Sequence, residues 1–160
     1  MAEPSQGPDP NLRRPKTAAP HGAIDAHAHV FGPLEQFPYV EERGYTPPEA
    51  LLGQWFEMHH VLGIERGVLI QPSVYGTDNR AMLAAIAEAG SCVRGVAAVD
   101  AGVDDSELAA LDAAFVRAIR FNLQFSGGVA LDAMTSLAAR VADLGWHLQF
   151  LMDVRDLVEV

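Results

Sequence analysis

Gly22-Ala23-Ile24-Asp25-Ala26-His27-Ala28-His29-Val30-Phe31-Gly32 is the stretch on which the fold turns. From Ile24 to Val30, small or apolar residues alternate with Asp25, His27 and His29, the period of a β-strand. Strict alternation predicts that the carboxylate and both imidazoles share one face, with Ala26, Ala28 and Val30 on the other. Three such groups are costly to bury unless paired, ligated or used in chemistry. The strand is therefore expected to carry a site. The residues after it are Phe31-Gly32-Pro33, not the glycine-rich phosphate loop of a dinucleotide-binding first strand.

Strands and helices alternate outward from this strand. Thr46, Pro47 and Glu49 spell a capping box with proline at the first helical position. Leu51, Leu52, Trp55, Phe56, His59 and Leu62 follow at helical spacing, and Gly63 stops the helix. A second strand is predicted over Gly67–Ser73, ended by Pro72. Thr77 or Asp78 is expected to cap the next helix. The third strand is Val93–Val99, and Asp104-Asp105 opens a helix after it. The fourth strand is Ala118–Leu123, the next helix Leu131–Leu144 and the fifth strand His147–Met152. A fifth helix is expected from Asp153.

Five βα units in series predict parallel strands joined by helical crossovers. The choice lies between a doubly wound sheet and a (β/α)8 TIM barrel. The missing phosphate loop disfavours the dinucleotide-binding version of the former, and the candidate residues sit at strand carboxyl ends, where barrels do their chemistry. Such a barrel takes eight strands and about 250 residues. Residues 23–160 are thus expected to form an incomplete TIM-barrel domain, the amino-terminal part of a longer protein. Residues 1–22 read as a flexible, Pro-rich tail.

The 160 residues are 49% apolar and 20% charged, a composition that suits a globular core rather than a disordered chain. A net charge of −10 argues against nucleic acid as a partner. No apolar run approaches the roughly 20 residues of a membrane span, and the amino terminus lacks a signal-peptide pattern. A cytoplasmic protein is expected. The lone Cys92 agrees, and it reads as a buried, inert thiol. Lys16 is the single lysine, which removes Schiff-base chemistry and a carboxylated-lysine metal site from the body of this chain.

His27 and His29 can be read as half of a metal site, with Asp25 as a further ligand or as the group orienting an imidazole. They can also be read as hydrogen-bonded histidines lining a cavity. No third ligand suggests itself. His147 lies at the amino end of its strand, and His59 and His60 are expected on a helix surface. Arg120 needs a counter-anion, either a substrate carboxylate or an internal partner such as Asp25 or Asp100. Ser73 and Tyr45 can add hydrogen bonds to a carbonyl or an anion.

Asp25-x-His27-x-His29 with Val30-Phe31-Gly32-Pro33 resembles the opening of the amidohydrolase superfamily, in its amidohydrolase-2 branch. Gln71–Asn79 (QPSVYGTDN) and Arg120-Phe121-Asn122 resemble the 2-pyrone-4,6-dicarboxylate lactonase family within it. The similarity runs from Ile24 to Asp153. It implies a (β/α)8 barrel that hydrolyses a small carboxylated lactone by water attack, with no metal cofactor. By match, His27 and His29 are the catalytic pair that polarises the carbonyl. Tyr45, Ser73, Arg120 and Asn122 are the substrate-binding residues. The family's general base is an Asp on the eighth strand, beyond this chain. A second substrate-binding Arg is expected shortly after Asn122, where this chain has Ser126.

Two alternatives stand beside that reading. One is a metal-dependent decarboxylase or hydrolase of the same branch, with His27, His29 and Asp25 on zinc or a similar ion. The other is a truncated, non-catalytic fragment or binding module. Exposed edges of the first and fifth strands would favour self-association.

Overall fold

The structure is a computed structural model that describes residues 3–125 and 134–155. Its elements are β1 (Glu3–Pro4), β2 (Ile24–Ala28), β3 (Tyr45–Thr46), α1 (Leu52–Leu62), β4 (Arg66–Ile70), α2 (Arg80–Ala89), β5 (Val93–Ala97), α3 (Asp105–Ala113), β6 (Val116–Asn122), α4 (Met134–Ala142) and β7 (His147–Leu151). β2, β4, β5, β6 and β7 form one parallel sheet in that order. Each strand lies beside the next strand of the sheet in sequence, so the order never reverses as it does in a doubly wound sheet.

The packing gives the same answer. Leu52 and Trp55 of α1, Met82 and Ile86 of α2, Leu108 and Leu111 of α3, and Leu137 and Val141 of α4 all join one core. Leu69, Val93, Ile119 and Phe121 of the strands face it. All four helices therefore cover a single face. Ile70, Val96 and Ala118 form a separate small cluster on the other face, the barrel interior. The fold is a partial TIM barrel, with five parallel strands and four covering helices among the described residues.

Gly67 sets how closely α1 approaches. A Cβ there would lie 2.3 Å from Trp55 Cζ2, closer than any side chain tolerates. Only a glycine lets the indole rest on the strand. Gly63 ends α1 with a positive φ of 73°, as expected.

The start of α1 differs from its sequence signal. The helix begins at Leu52, and Thr46 belongs to β3. The capping-box residues have other partners: Glu49 Oε1 accepts the Leu34 N–H at 2.7 Å, and Thr46 Oγ1 accepts from Arg43 Nε at 3.0 Å. Gln54 instead bonds the Leu51 N–H at 2.9 Å. At α2 the cap position falls to Asn79, with the Asp78 carboxylate accepting the Arg80 N–H at 3.2 Å. Asp104 caps α3 as read, accepting the Glu107 N–H at 2.8 Å.

The thiol of Cys92 is half-buried and donates to Ala89 O at 3.2 Å. The start expected for α4 at Leu131, the continuation of a fifth helix after Arg155, and Ser126 lie outside the described residues. No helix among the described residues is long and apolar enough to cross a membrane.

Candidate active site

β6 shows how the sheet presents side chains. Ala118, Arg120 and Asn122 alternate with Ile119 and Phe121, and the latter two face the helices. Arg120 and Asn122 therefore point to the interior, near the carboxyl end of the strand. The segment after β4 brings in Pro72 and Ser73, and β3 brings in Tyr45. With His27 and His29 from β2, these residues line one cleft of about 360 Å³. His27, His29, Tyr45, Ser73, Arg120 and Asn122 are thus brought together, as the sequence reading expected.

Asp25 is not among them. The register of β2 against β4 runs Asp25 to Gly67 and then Ala28 to Leu69, so three steps on β2 oppose two on β4. That extra residue is a β-bulge, which reverses the phase of the alternation. Asp25 leaves with Gly67 toward α1, whereas His27 and His29 turn into the cleft. Asp25 Oδ2 accepts from His59 Nε2 at 3.0 Å, and Oδ1 accepts the His27 N–H at 3.1 Å. The expectation that all three groups share a face is corrected, and with it the use of Asp25 as a third metal ligand.

His59 corrects a second expectation. It is 3% exposed, not on the helix surface, and its ring lies 3.8 Å from that of Trp55. A signal was present: His59 occupies an apolar position of the helical repeat, four residues after Trp55. His60 is exposed, as expected. His147 is exposed at the amino end of β7.

Arg120 is 5% exposed, and its Nε and Nη1 have no hydrogen-bond partner among the described residues. Neither Asp25 nor Asp100 pairs with it there. Burial pulls its pKa below the ordinary arginine value, although the nearby Tyr45 hydroxyl opposes the shift. A guanidinium stays charged all the same. Burial likewise raises the Tyr45 pKa, with the Ser73 side chain and the Arg120 charge pulling it back.

The two imidazoles stand edge to face, with ring centroids 5.1 Å apart. His29 Nδ1 lies 2.7 Å from Ile70 O. A carbonyl only accepts, so Nδ1 carries the proton of the neutral ring and Nε2 keeps a lone pair. Burial lowers the His29 pKa to about 4, and the charges of His27 and Arg120 add to the fall against the Ile70 bond. His29 is thus neutral at pH 7 and presents an acceptor. His27 is lowered too, by burial and by Arg120, with Asp25 opposing. Its ring is not tied to a carbonyl, so either nitrogen can donate.

A catalytic zinc takes three protein ligands, and no group of three His, Cys, Asp or Glu is placed for an ion among the described residues. Arg120 also puts a fixed positive charge beside both imidazoles.

Sequence reasoning missed Ser5, Phe125 and Leu151, which also line the cleft. β1 pairs in parallel with β3, and the Ser5 N–H donates to Thr46 O at 3.1 Å. That pairing carries Ser5 to the mouth, and no local pattern announces it. Phe125 meets the Tyr45 ring at 5.6 Å. A larger groove of about 570 Å³ runs over the helix layer between Phe37, Leu52 and Ala85. Its charged residues are Glu57 and Glu88, so it offers an anion no cation.

A one-sided barrel with polar groups gathered at the strand carboxyl ends defines a class, and the comparisons agree. The chain belongs to the amidohydrolase family: residues 24–160 match the model Amidohydro_2, described as amidohydrolase. It is 40% identical over 152 residues to the 2-pyrone-4,6-dicarbaxylate hydrolase of Comamonas testosteroni, covering 94% of this chain and 50% of that protein. It is 39% identical over 145 residues to the 4-sulfomuconolactone hydrolase of Rhizobium radiobacter, covering 89% and 47%. Among solved structures, a probable 2-pyrone-4,6-dicarboxylic acid hydrolase from Acinetobacter baumannii, with citric acid bound, matches with a TM-score of 0.76 and 31% identity. That match covers 86% of this chain and 52% of the other. The chain spans about half the length of these curated relatives.

Proposed function

We propose that this chain supplies the carboxylate- and carbonyl-binding side of a site that hydrolyses a small carboxylated lactone. The observation that carries the reading is Arg120: a buried guanidinium with two nitrogen atoms unpaired among the described residues, facing a cleft whose described lining holds no acidic residue. A buried charge without a partner is costly, and a substrate carboxylate relieves that cost. The relatives named as lactone hydrolases, and the citric acid bound in the Acinetobacter structure, support a carboxylated ligand.

The roles divide by hydrogen-bond chemistry. Arg120 holds a substrate carboxylate, with Asn122, Ser73 and Tyr45 on neighbouring oxygens. His27 donates to the lactone carbonyl, so that negative charge developing on that oxygen meets a donor already in place. The sequence expectation had both imidazoles donate. The bond from His29 Nδ1 to Ile70 O gives His29 the opposite part, accepting from the attacking water. With a pKa of about 4 it orients that water but is a weak base. We assign removal of the water's proton to a carboxylate outside the described lining, as the family resemblance implies.

Calorimetric titration with 2-pyrone-4,6-dicarboxylate tests the reading, with loss of lactone absorbance as the readout of hydrolysis. Saturable binding that disappears in Arg120→Gln is expected. Binding that survives the substitution overturns the proposal, and absence of binding in the unaltered protein favours a non-catalytic module. Stoichiometric zinc in the purified protein would favour the metal-dependent alternative.

A further inference from the structure

We infer that Asp25 is a positioning residue, whose carboxylate, held by His59, fixes the bulge that turns His27 and His29 into the cleft. The inference rests on the proposed roles of those two imidazoles.

A bulge releases backbone groups from the ladder, and each released donor needs a new acceptor. The side chain of Asp25 meets that need from two residues upstream: Oδ1 accepts the His27 N–H at 3.1 Å. This local closure is a habit of aspartate, whose short arm reaches the N–H two residues on. Without it, nothing in β2 penalises a return to plain alternation. A one-residue slip moves the following side chains to the opposite face. His27 would then leave Arg120 and point to the helix layer.

The carboxylate is itself anchored. Oδ2 accepts from His59 Nε2 at 3.0 Å, and the His59 ring is 3% exposed against Trp55. Trp55 in turn lies where a Cβ on Gly67 would be, one strand away from Asp25 in the pairing register. Helix α1 thereby reaches through the sheet layer to the backbone of a cleft residue. A plain structural ion pair would explain the His59 contact, but not why the other carboxylate oxygen is spent on His27.

The test follows the His27 ring resonances by NMR while 2-pyrone-4,6-dicarboxylate is added. The unaltered protein is expected to show a His27 response together with slow exchange of its amide. In Asp25→Ala that amide exchanges about tenfold faster or more, as loss of one hydrogen bond implies. The His27 ring response disappears, yet ligand affinity through Arg120 changes less than about threefold. Asp25→Asn retains the Oδ1 acceptor and restores the response. If Asp25→Ala fails to fold, His59→Gln is expected to weaken the His27 response without abolishing it. A His27 response unchanged in these variants, or one not restored by asparagine, overturns the inference. Failure of the functional reading looks different: no ligand response at any residue of the unaltered protein, with His27 amide exchange still dependent on Asp25.

Discussion

The two faces of the sheet treat their polar groups in opposite ways. Toward the helices, Asp25 has both oxygens engaged, His59 is bonded and packed against the Trp55 ring, and the Trp146 indole N–H donates to Asp112 Oδ1 at 2.9 Å. Trp55 Nε1 is an exception on that side. Toward the interior, Arg120 and Ser73 leave buried atoms without partners among the described residues, and so does Gln149, which pairs in register with Arg120. A buried polar atom left unpaired costs about 1–3 kcal/mol. The helix side is finished by the chain itself, whereas the interior keeps polar atoms unpaired among the described residues, as the proposed ligand site requires. Substitutions on one face should therefore register as stability, and on the other as binding.

The strongest test is Gly67→Val, which drives a branched side chain into Trp55 and His59. Loss of about 3 kcal/mol is expected in urea unfolding, at the upper end of overpacking penalties. An unchanged midpoint would show that α1 is not seated on the strand.

Arg120→Met on the opposite face should leave unfolding unchanged or raise its free energy by about 1 kcal/mol, because it removes an unpaired buried charge. Affinity for a dicarboxylate should fall by about 2–3 kcal/mol, the scale of a charge-assisted contact. A large loss of stability would mean that the guanidinium has a structural partner.

His29 gives the next effect, through pH. Its pKa of about 4 in the folded protein lies below the ordinary 6.5. The unfolded chain therefore takes up the proton first, and stability falls as pH falls through that window, then levels off. Roughly 2 kcal/mol is expected for this group after allowance for screening. Denaturation midpoints across the range should show the slope, and His29→Asn should flatten it. Asp25 acts lower: burial raises its pKa, but the bonds from His59 and the His27 N–H bring it below the usual value. Its contribution is present above about 3.8 and fades as pH drops further.

The smallest contrast concerns helix starts. Asp104→Ala should cost about 1 kcal/mol, and Thr46→Ala less than about 0.5, since only the first caps a helix. Equal losses in thermal unfolding would restore the capping box that the structure dissolves.

β6 and β2 explain what was legible. β6 pairs with β7 over five consecutive residues, so its alternation runs unbroken, and the strand-end position read for Arg120 and Asn122 puts both on the interior face. β2 carries an extra residue, and alternation misplaced Asp25. A bulge leaves no periodic trace; its one local mark was an Asp two residues before His27. The capping signal at Thr46 was real chemistry with another outlet, because Glu49 found Leu34 across the chain. His59 was legible by position and misread by residue type. The cleft's Ser5 depends on pairing between residues some forty positions apart, beyond the reach of any local pattern.

Arg120 has a consequence for the speed of capture. This chain carries a net charge of −10, and the cation that would welcome a carboxylate is sunk beneath its surface. Within a screening length of the surface, about 8 Å at physiological salt, a dianion of the proposed kind would meet a repulsive halo. Inside the cleft the buried guanidinium of Arg120 would attract it. Added salt thins the halo and quickens arrival, yet weakens the grip once the ligand is seated. Anions are sorted twice on such a route, by passage through the field and then by fit.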